Sequence, residues 1–180
     1  MFIETEQTPN PATLKFLPGR TVMTVGTVNF PDADGADRSP LAQRLFAVEG
    51  VTGVFLGADF VTVSKAEDLD WYRLKPAVLG VIMEHFTSGE PTFLGEVAAA
   101  DDEDDDELTT QIKELLDTRV RPAVAQDGGD IIFHRFEDGV VYLHMQGSCA
   151  GCPSSTATLK AGIENMLRHY VPEVVEVRAV

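Results

Sequence analysis

Gly147-Ser148-Cys149-Ala150-Gly151-Cys152-Pro153-Ser154-Ser155 is the stretch around which this chain is arranged. It holds the two cysteines of the protein, with two residues between them. Pro153, followed by Ser154, Ser155 and Thr156, predicts a helix start, because proline fits a first turn in which its missing N–H would have had no partner. The two sulfurs are therefore expected on a turn just before, or at, a helix N-terminus. The partial positive charge of that end favours thiolate over thiol. Glycines at 147 and 151 free the backbone and allow close approach to a bulky ligand. Two adjacent soft ligands at a helix end make a chemical site, not a core feature.

Working outward, Val140 to Met145 reads as the strand that feeds this loop, and Ile131 to Phe136 as its hairpin partner. Asp138-Gly139 between them is a strong tight-turn signal. Upstream, Leu108, Ile112, Leu115, Leu116, Val120, Ala123 and Val124 recur at helical spacing. Pro122 falls inside that pattern, so a kink or early loss of regularity is expected there. Asp127-Gly128-Gly129-Asp130 reads as a helix C-cap and turn into the strand. Downstream of the loop, Leu159, Ile163, Met166, Leu167 and Tyr170 form the inward face of the helix from Pro153. Pro172 stops it, and Val174 to Val177 is a final strand.

The first half reads as a separate α+β domain. Pro9 to Phe16 reads as a Pro-punctuated entry into a strand, and Val22 to Phe30 is expected to be extended. Pro31 to Gly35 is a polar loop. Ser39-Pro40 is an N-cap with a first-turn proline, opening a short helix that Gly50 terminates. Val51 to Leu56 and Phe60 to Ser64 form a hairpin. Asp70 caps a second helix with Trp71, Leu74, Val78, Leu79, Ile82, Met83 and Phe86 on its apolar face, closed by Gly89. No internal repeat relates the two halves. The fold class is thus α+β: two small α+β domains, residues 1–93 and 108–180, joined by residues 94–107. That join contains Asp101-Asp102-Glu103-Asp104-Asp105-Asp106-Glu107, a self-repelling run expected to be a flexible acidic linker. A docking segment for partners is the sharper alternative.

Composition narrows the function. Across 180 residues the formal charge is −15, which repels phosphate backbones and argues against nucleic-acid binding. No apolar run approaches a membrane span. The N-terminus is acidic and lacks the pattern of a signal or transit peptide, so a cytoplasmic protein with reduced thiols is expected.

The thiol pair admits three chemistries. It could be a thiol–disulfide couple, with Cys149 as nucleophile and Cys152 as resolving thiol. Such motifs are expected near a βαβ pattern, whereas a hairpin precedes this one. It could be half of a structural zinc site, which needs four ligands. Of His85, His134, His144 and His169, only His144 is close in sequence. Finally, two chains could each supply two thiolates, because iron–sulfur clusters usually take four cysteines.

Resemblance discriminates among these. Asp127-Gly128-Gly129-Asp130, the cysteine stretch, Thr158-Leu159-Lys160 and Gly162-Ile163-Glu164 together resemble the C-terminal domain of the NifU family. The first half resembles the N-terminal domain of Nfu-type proteins. It does so through Thr8-Pro9-Asn10-Pro11 with Leu14-Lys15-Phe16, Gly50 to Leu56 with Asp59 to Thr62, and Trp71 with Leu74-Lys75-Pro76. The resemblance implies an iron–sulfur scaffold or carrier and not an enzyme. It implies a [4Fe-4S] cluster held by Cys149 and Cys152 of two chains in a homodimer, received from an upstream donor and passed to apo-protein clients. The lack of a transit-peptide pattern points to a bacterial member over a mitochondrial one, and client recognition is left by elimination to the first domain.

Overall fold

Apolar and polar residues alternate along short β-branched runs, while apolar residues recur at helical spacing between them. Each half of the chain therefore builds a sheet with helices packed on it. The computed structural model describes residues 2–8, 10–95, 106–147 and 153–180, with side chains from residue 157 onward in the last segment. Two compact units emerge, Met1–Ala99 and Ala100–Val180, each with its own apolar core.

The first unit runs β1 (Glu4–Gln7), β2 (Thr13–Leu17), β3 (Val28–Phe30), a 3-10 turn (Ala33–Arg38), α1 (Pro40–Phe46), β4 (Val51–Leu56), β5 (Val61–Lys65) and α2 (Trp71–Ser88). The sheet order is β1-β2-β5-β4-β3, antiparallel throughout. Phe16, Leu41, Leu45, Val61, Val63, Val78 and Ile82 are fully buried between sheet and helices. Side chains of this size contribute about 1.5–3 kcal/mol each when removed from water. Ser39 Oγ accepts from Ala42 N, and Asp70 accepts from Tyr72 N, so both expected caps form. Gly89, at φ 75, ends α2 in the left-handed conformation that glycine adopts without strain.

Three local expectations change in the first unit. Only Val28–Phe30 of the stretch from Val22 is strand, because Val22 and Met23 turn inward and bond to the Ala58 carbonyl instead. The expected loop at Pro31 to Gly35 tightens into the 3-10 turn, with Asp32 accepting from Asp34 N and Gly35 N. On α2, Met83 faces solvent and His85 occupies the core. Leu94 and Gly95 stay with this unit: Leu94 N donates to the Arg38 carbonyl, and Arg38 Nε donates back to the Leu94 carbonyl.

The second unit runs α3 (Glu107–Leu115), a π turn (Leu116–Val120), α4 (Arg121–Gln126), β6 (Gly129–Glu137), β7 (Val140–Gly147), α5 (Pro153–Tyr170) and β8 (Glu176–Ala179). Asp106 caps α3 by accepting from Thr109 N at 2.7 Å. These Thr109 hydrogen bonds hold its carboxyl below the usual carboxylate range. The break anticipated at Pro122 takes the form of the π turn, with Pro122 in the first turn of α4. β6 and β7 pair antiparallel, whereas β8 returns parallel to β7. A parallel return needs a crossover, and α5 supplies it. Ile112, Leu116, Ile131, Val141, Leu143, Ile163, Leu167 and Val177 fill the space beneath; Tyr170, expected inside, is half exposed. The acidic run from Asp101 to Asp105 lies outside the described residues.

Candidate functional site

Cys149 and Cys152 lie outside the described residues, so the site is built from the elements that bracket them. β7 ends at Gly147 and α5 begins at Pro153. Gly147 sits at φ 67, in the left-handed region. Its register partner is Gly129, followed along the ladder by Asp130 opposite Gln146 and Ile131 opposite Met145. The Asp127–Asp130 motif therefore adjoins the point where the cysteine segment leaves the sheet. Gly128, at φ 82, makes the turn out of α4, with Asp127 N and Gly128 N donating to the carbonyls of Val124 and Ala125.

Asp130 is 3% exposed, so its charge requires partners. Arg121 provides a two-pronged one: Nε donates to Oδ1 and Nη2 to Oδ2, both at 2.9 Å. Ile131 N donates to Oδ1 at 2.8 Å. Asp117 accepts from Arg121 Nη1 at 3.1 Å on the exposed side. Hydrogen bonding to Asp130 outweighs burial and pushes the guanidinium pKa up, so Arg121 stays charged. Nothing in the periodicity of the helix marks Arg121. Its spacing of nine residues from an aspartate in a Gly-Gly turn was the available signal. Gln146, one residue before Gly147, buries Oε1 with no hydrogen-bond partner.

Glu164, part of the sequence motif, accepts from Val177 N at 3.2 Å and ties α5 to β8. That is a structural task. His144 is exposed on β7, with Nδ1 3.1 Å from the Val180 carbonyl oxygen. Among the described residues no group of three or more His, Cys, Asp or Glu side chains could hold a metal ion. The expected hairpin before the loop is present, but β8 changes its context. The cysteine segment joins strand to helix within a β7–α5–β8 unit, so the βαβ setting of a redox motif is met after all.

His85 belongs to the first unit and is completely buried, with neither ring nitrogen hydrogen-bonded. Burial first, and then the charge of Arg44, lower its pKa; Glu90 acts in the opposite sense. An open cleft of about 610 Å³ with a mixed lining, apolar at Met23, Phe86 and Phe93 and polar at Thr21, Glu90 and Thr92, also belongs to the first unit. No described helix is long and apolar enough to cross a membrane.

Two family descriptions match. Residues 3–89 match "Scaffold protein Nfu/NifU N terminal", and residues 112–178 match "NifU-like domain". A human protein named "NFU1 iron-sulfur cluster scaffold homolog, mitochondrial" is 55% identical over 177 residues, covering 97% of this chain and 70% of that protein. "NifU-like protein 5, mitochondrial" of Arabidopsis thaliana is 54% identical over 181 residues, covering 97% of this chain and 66% of its own length. The chain thus spans about two thirds of the length of such relatives, 65% for a Drosophila erecta protein. The solution structure of a NifU-like protein from Saccharomyces cerevisiae aligns at a TM-score of 0.48 and 27% identity. It covers 53% of this chain and 87% of that one.

Proposed function

The chain belongs to the Nfu/NifU scaffold family, and from that membership we propose that it carries an iron–sulfur cluster as cargo between a donor and apo-protein clients. The single observation behind this reading is that the Cys149–Cys152 pair falls inside the NifU-like match, between a strand end and a helix start. One chain supplies two thiolates, and the cluster takes four. The proposed cargo is therefore a [4Fe-4S] cluster bridging a homodimer.

Shared ligation suits delivery. No single chain encloses the cluster, so client thiolates can replace Cys149 and Cys152 stepwise. A permanent electron-transfer centre would more naturally take all four ligands from one chain. The role is transfer, not catalysis. The first unit is proposed to recognise clients, with its open cleft able to receive an apolar side chain. The acidic run is proposed as the linker that lets the cluster-holding unit reach them. The setting is a reducing compartment: the bacterial cytoplasm, or mitochondria as in the names of the curated relatives.

One observation favours a second reading. The βαβ context of the cysteine segment suits a thiol–disulfide couple. Anaerobic reconstitution with iron and sulfide separates the two. About two irons and two sulfides per chain, in a dimer by native mass, are expected for the shared cluster. Zinc alone, or no metal with a readily cycled disulfide, would overturn it.

A further inference from the structure

We propose that the Arg121–Asp130 pair is the positioning element of the cysteine segment: it sets where β7 releases the chain toward Cys149 and Cys152. This rests on the reading of those cysteines as cluster ligands. Arg121 and Asp130 are not ligands themselves.

Four features converge on this role. Gly128 and Gly129 precede Asp130, and glycines have no side chain with which to fix their own backbone. Gly129 is the register partner of Gly147, so looseness on one side is passed to the other. Asp130 supplies what the glycines lack: both its oxygens are gripped by one planar guanidinium, and Oδ1 also holds the next backbone N–H. A rigid fork fixes direction as well as distance.

The π turn brings Arg121 to this place. It spans Leu116–Val120 and ends immediately before Arg121. A wider turn rotates the residues that follow it relative to α3, and such turns recur at functional sites. Asp117, inside the turn, takes the remaining face of the guanidinium. Asp130 is buried while Arg121 is about a third exposed, and an ion pair with a buried member is commonly no more stabilising than apolar residues of the same volume. Orientation is the property that apolar replacements would lack.

The test uses the full-length apo-protein and four variants: Arg121→Lys, Arg121→Met, Asp130→Asn, and the double Arg121→Met/Asp130→Leu. Thermal midpoint by circular dichroism reports the fold. Binding of a trivalent phenylarsenical, which must bridge both thiolates of one chain, reports their geometry without iron. Asp130→Asn and Arg121→Met are expected to bind the arsenical at least about tenfold more weakly, as for loss of a supporting shell around metal ligands. Arg121→Lys is expected not to rescue, because an ammonium cannot make the fork. The double variant should regain thermal stability but not arsenical affinity. Arsenical binding at the wild-type level in the single variants, or its full return in the double variant, would overturn the inference. Should the single variants fail to fold, the double variant decides alone. A wild type that binds arsenical but takes no iron would refute cluster carriage and leave the positioning result standing.

Discussion

Gly129 and Gly147 face each other as the terminal register pair of the β6–β7 ladder, so glycine meets glycine where the cysteine segment leaves the sheet. Gly147 needs its φ of 67 to make that departure. A β-branched residue there is strained. Gly147→Val is expected to destabilise the second unit by about 1–2 kcal/mol, measured by urea unfolding with amide exchange of β6 and β7 as the local probe. Unchanged exchange would show that the left-handed conformation is dispensable.

Removing either thiol should abolish cluster loading without touching the fold. Cys149→Ser and Cys152→Ser are each expected to lose iron and sulfide on reconstitution while keeping the circular dichroism of the apo-protein. A full cluster in Cys149→Ser would end the ligand assignment.

His85 makes the first unit acid-sensitive. Its pKa is lowered from 6.5 in the folded state, so the unfolded chain binds the proton more readily. The sign follows: full stability holds above pH 6.5 and declines as pH falls through 6.5 toward the folded value. The slope is at most about 1.4 kcal/mol per pH unit. Arg44, from α1, opposes protonation, and Glu90 favours it; both are joined in one ion-pair cluster with Glu84. Trp71, the one tryptophan of the chain, lies edge-on to Phe16 at 6.3 Å and donates to the Pro11 carbonyl. Its fluorescence in urea titrations at pH 7.0 and 5.5 reads the effect. His85→Leu should flatten the dependence; an equal slope in that variant would show that other groups cause it.

The hairpin turn gives a fourth test. Asp138 and Gly139 both have positive φ, at 52 and 78, the signature of a type I′ turn. A Cβ at 139 would lie 2.9 Å from Val175 Cγ2 and 3.2 Å from the Glu173 carbonyl oxygen. Gly139→Ala is expected to lose about 1–2 kcal/mol, whereas Asp138→Asn should be nearly neutral, because asparagine tolerates the same conformation. Equal urea midpoints for Gly139→Ala and wild type would contradict the turn assignment.

Features with a local cause were legible in the sequence. Ser39-Pro40, Asp70, Gly89 and Asp138-Gly139 act within a few residues of themselves, and each does in the fold what its chemistry implies. Pro122 announced a break in its helix but not that the break would be a π turn. β1 was missed because Glu4 to Gln7 carries no apolar alternation. Its strand character comes from backbone pairing with β2 and from the bridge between Glu6 and Lys15 at 3.4 Å. Met83, expected on the apolar face, is exposed, and His85 takes a core position, because helical spacing fixes a stripe only to within about one residue in each turn. Packing against the sheet chose its edge.

The sequence by itself determined the thiol pair, the helix that begins at Pro153, the two α+β halves and the family to which they belong, because each is written in neighbouring residues. Only the tertiary structure decided that β8 runs parallel to β7, that Gly129 lies opposite Gly147, and that Arg121 grips a buried Asp130. Those facts join residues distant in the chain, and their partners are selected when burial removes water and each buried charge or backbone group must find its complement inside the protein.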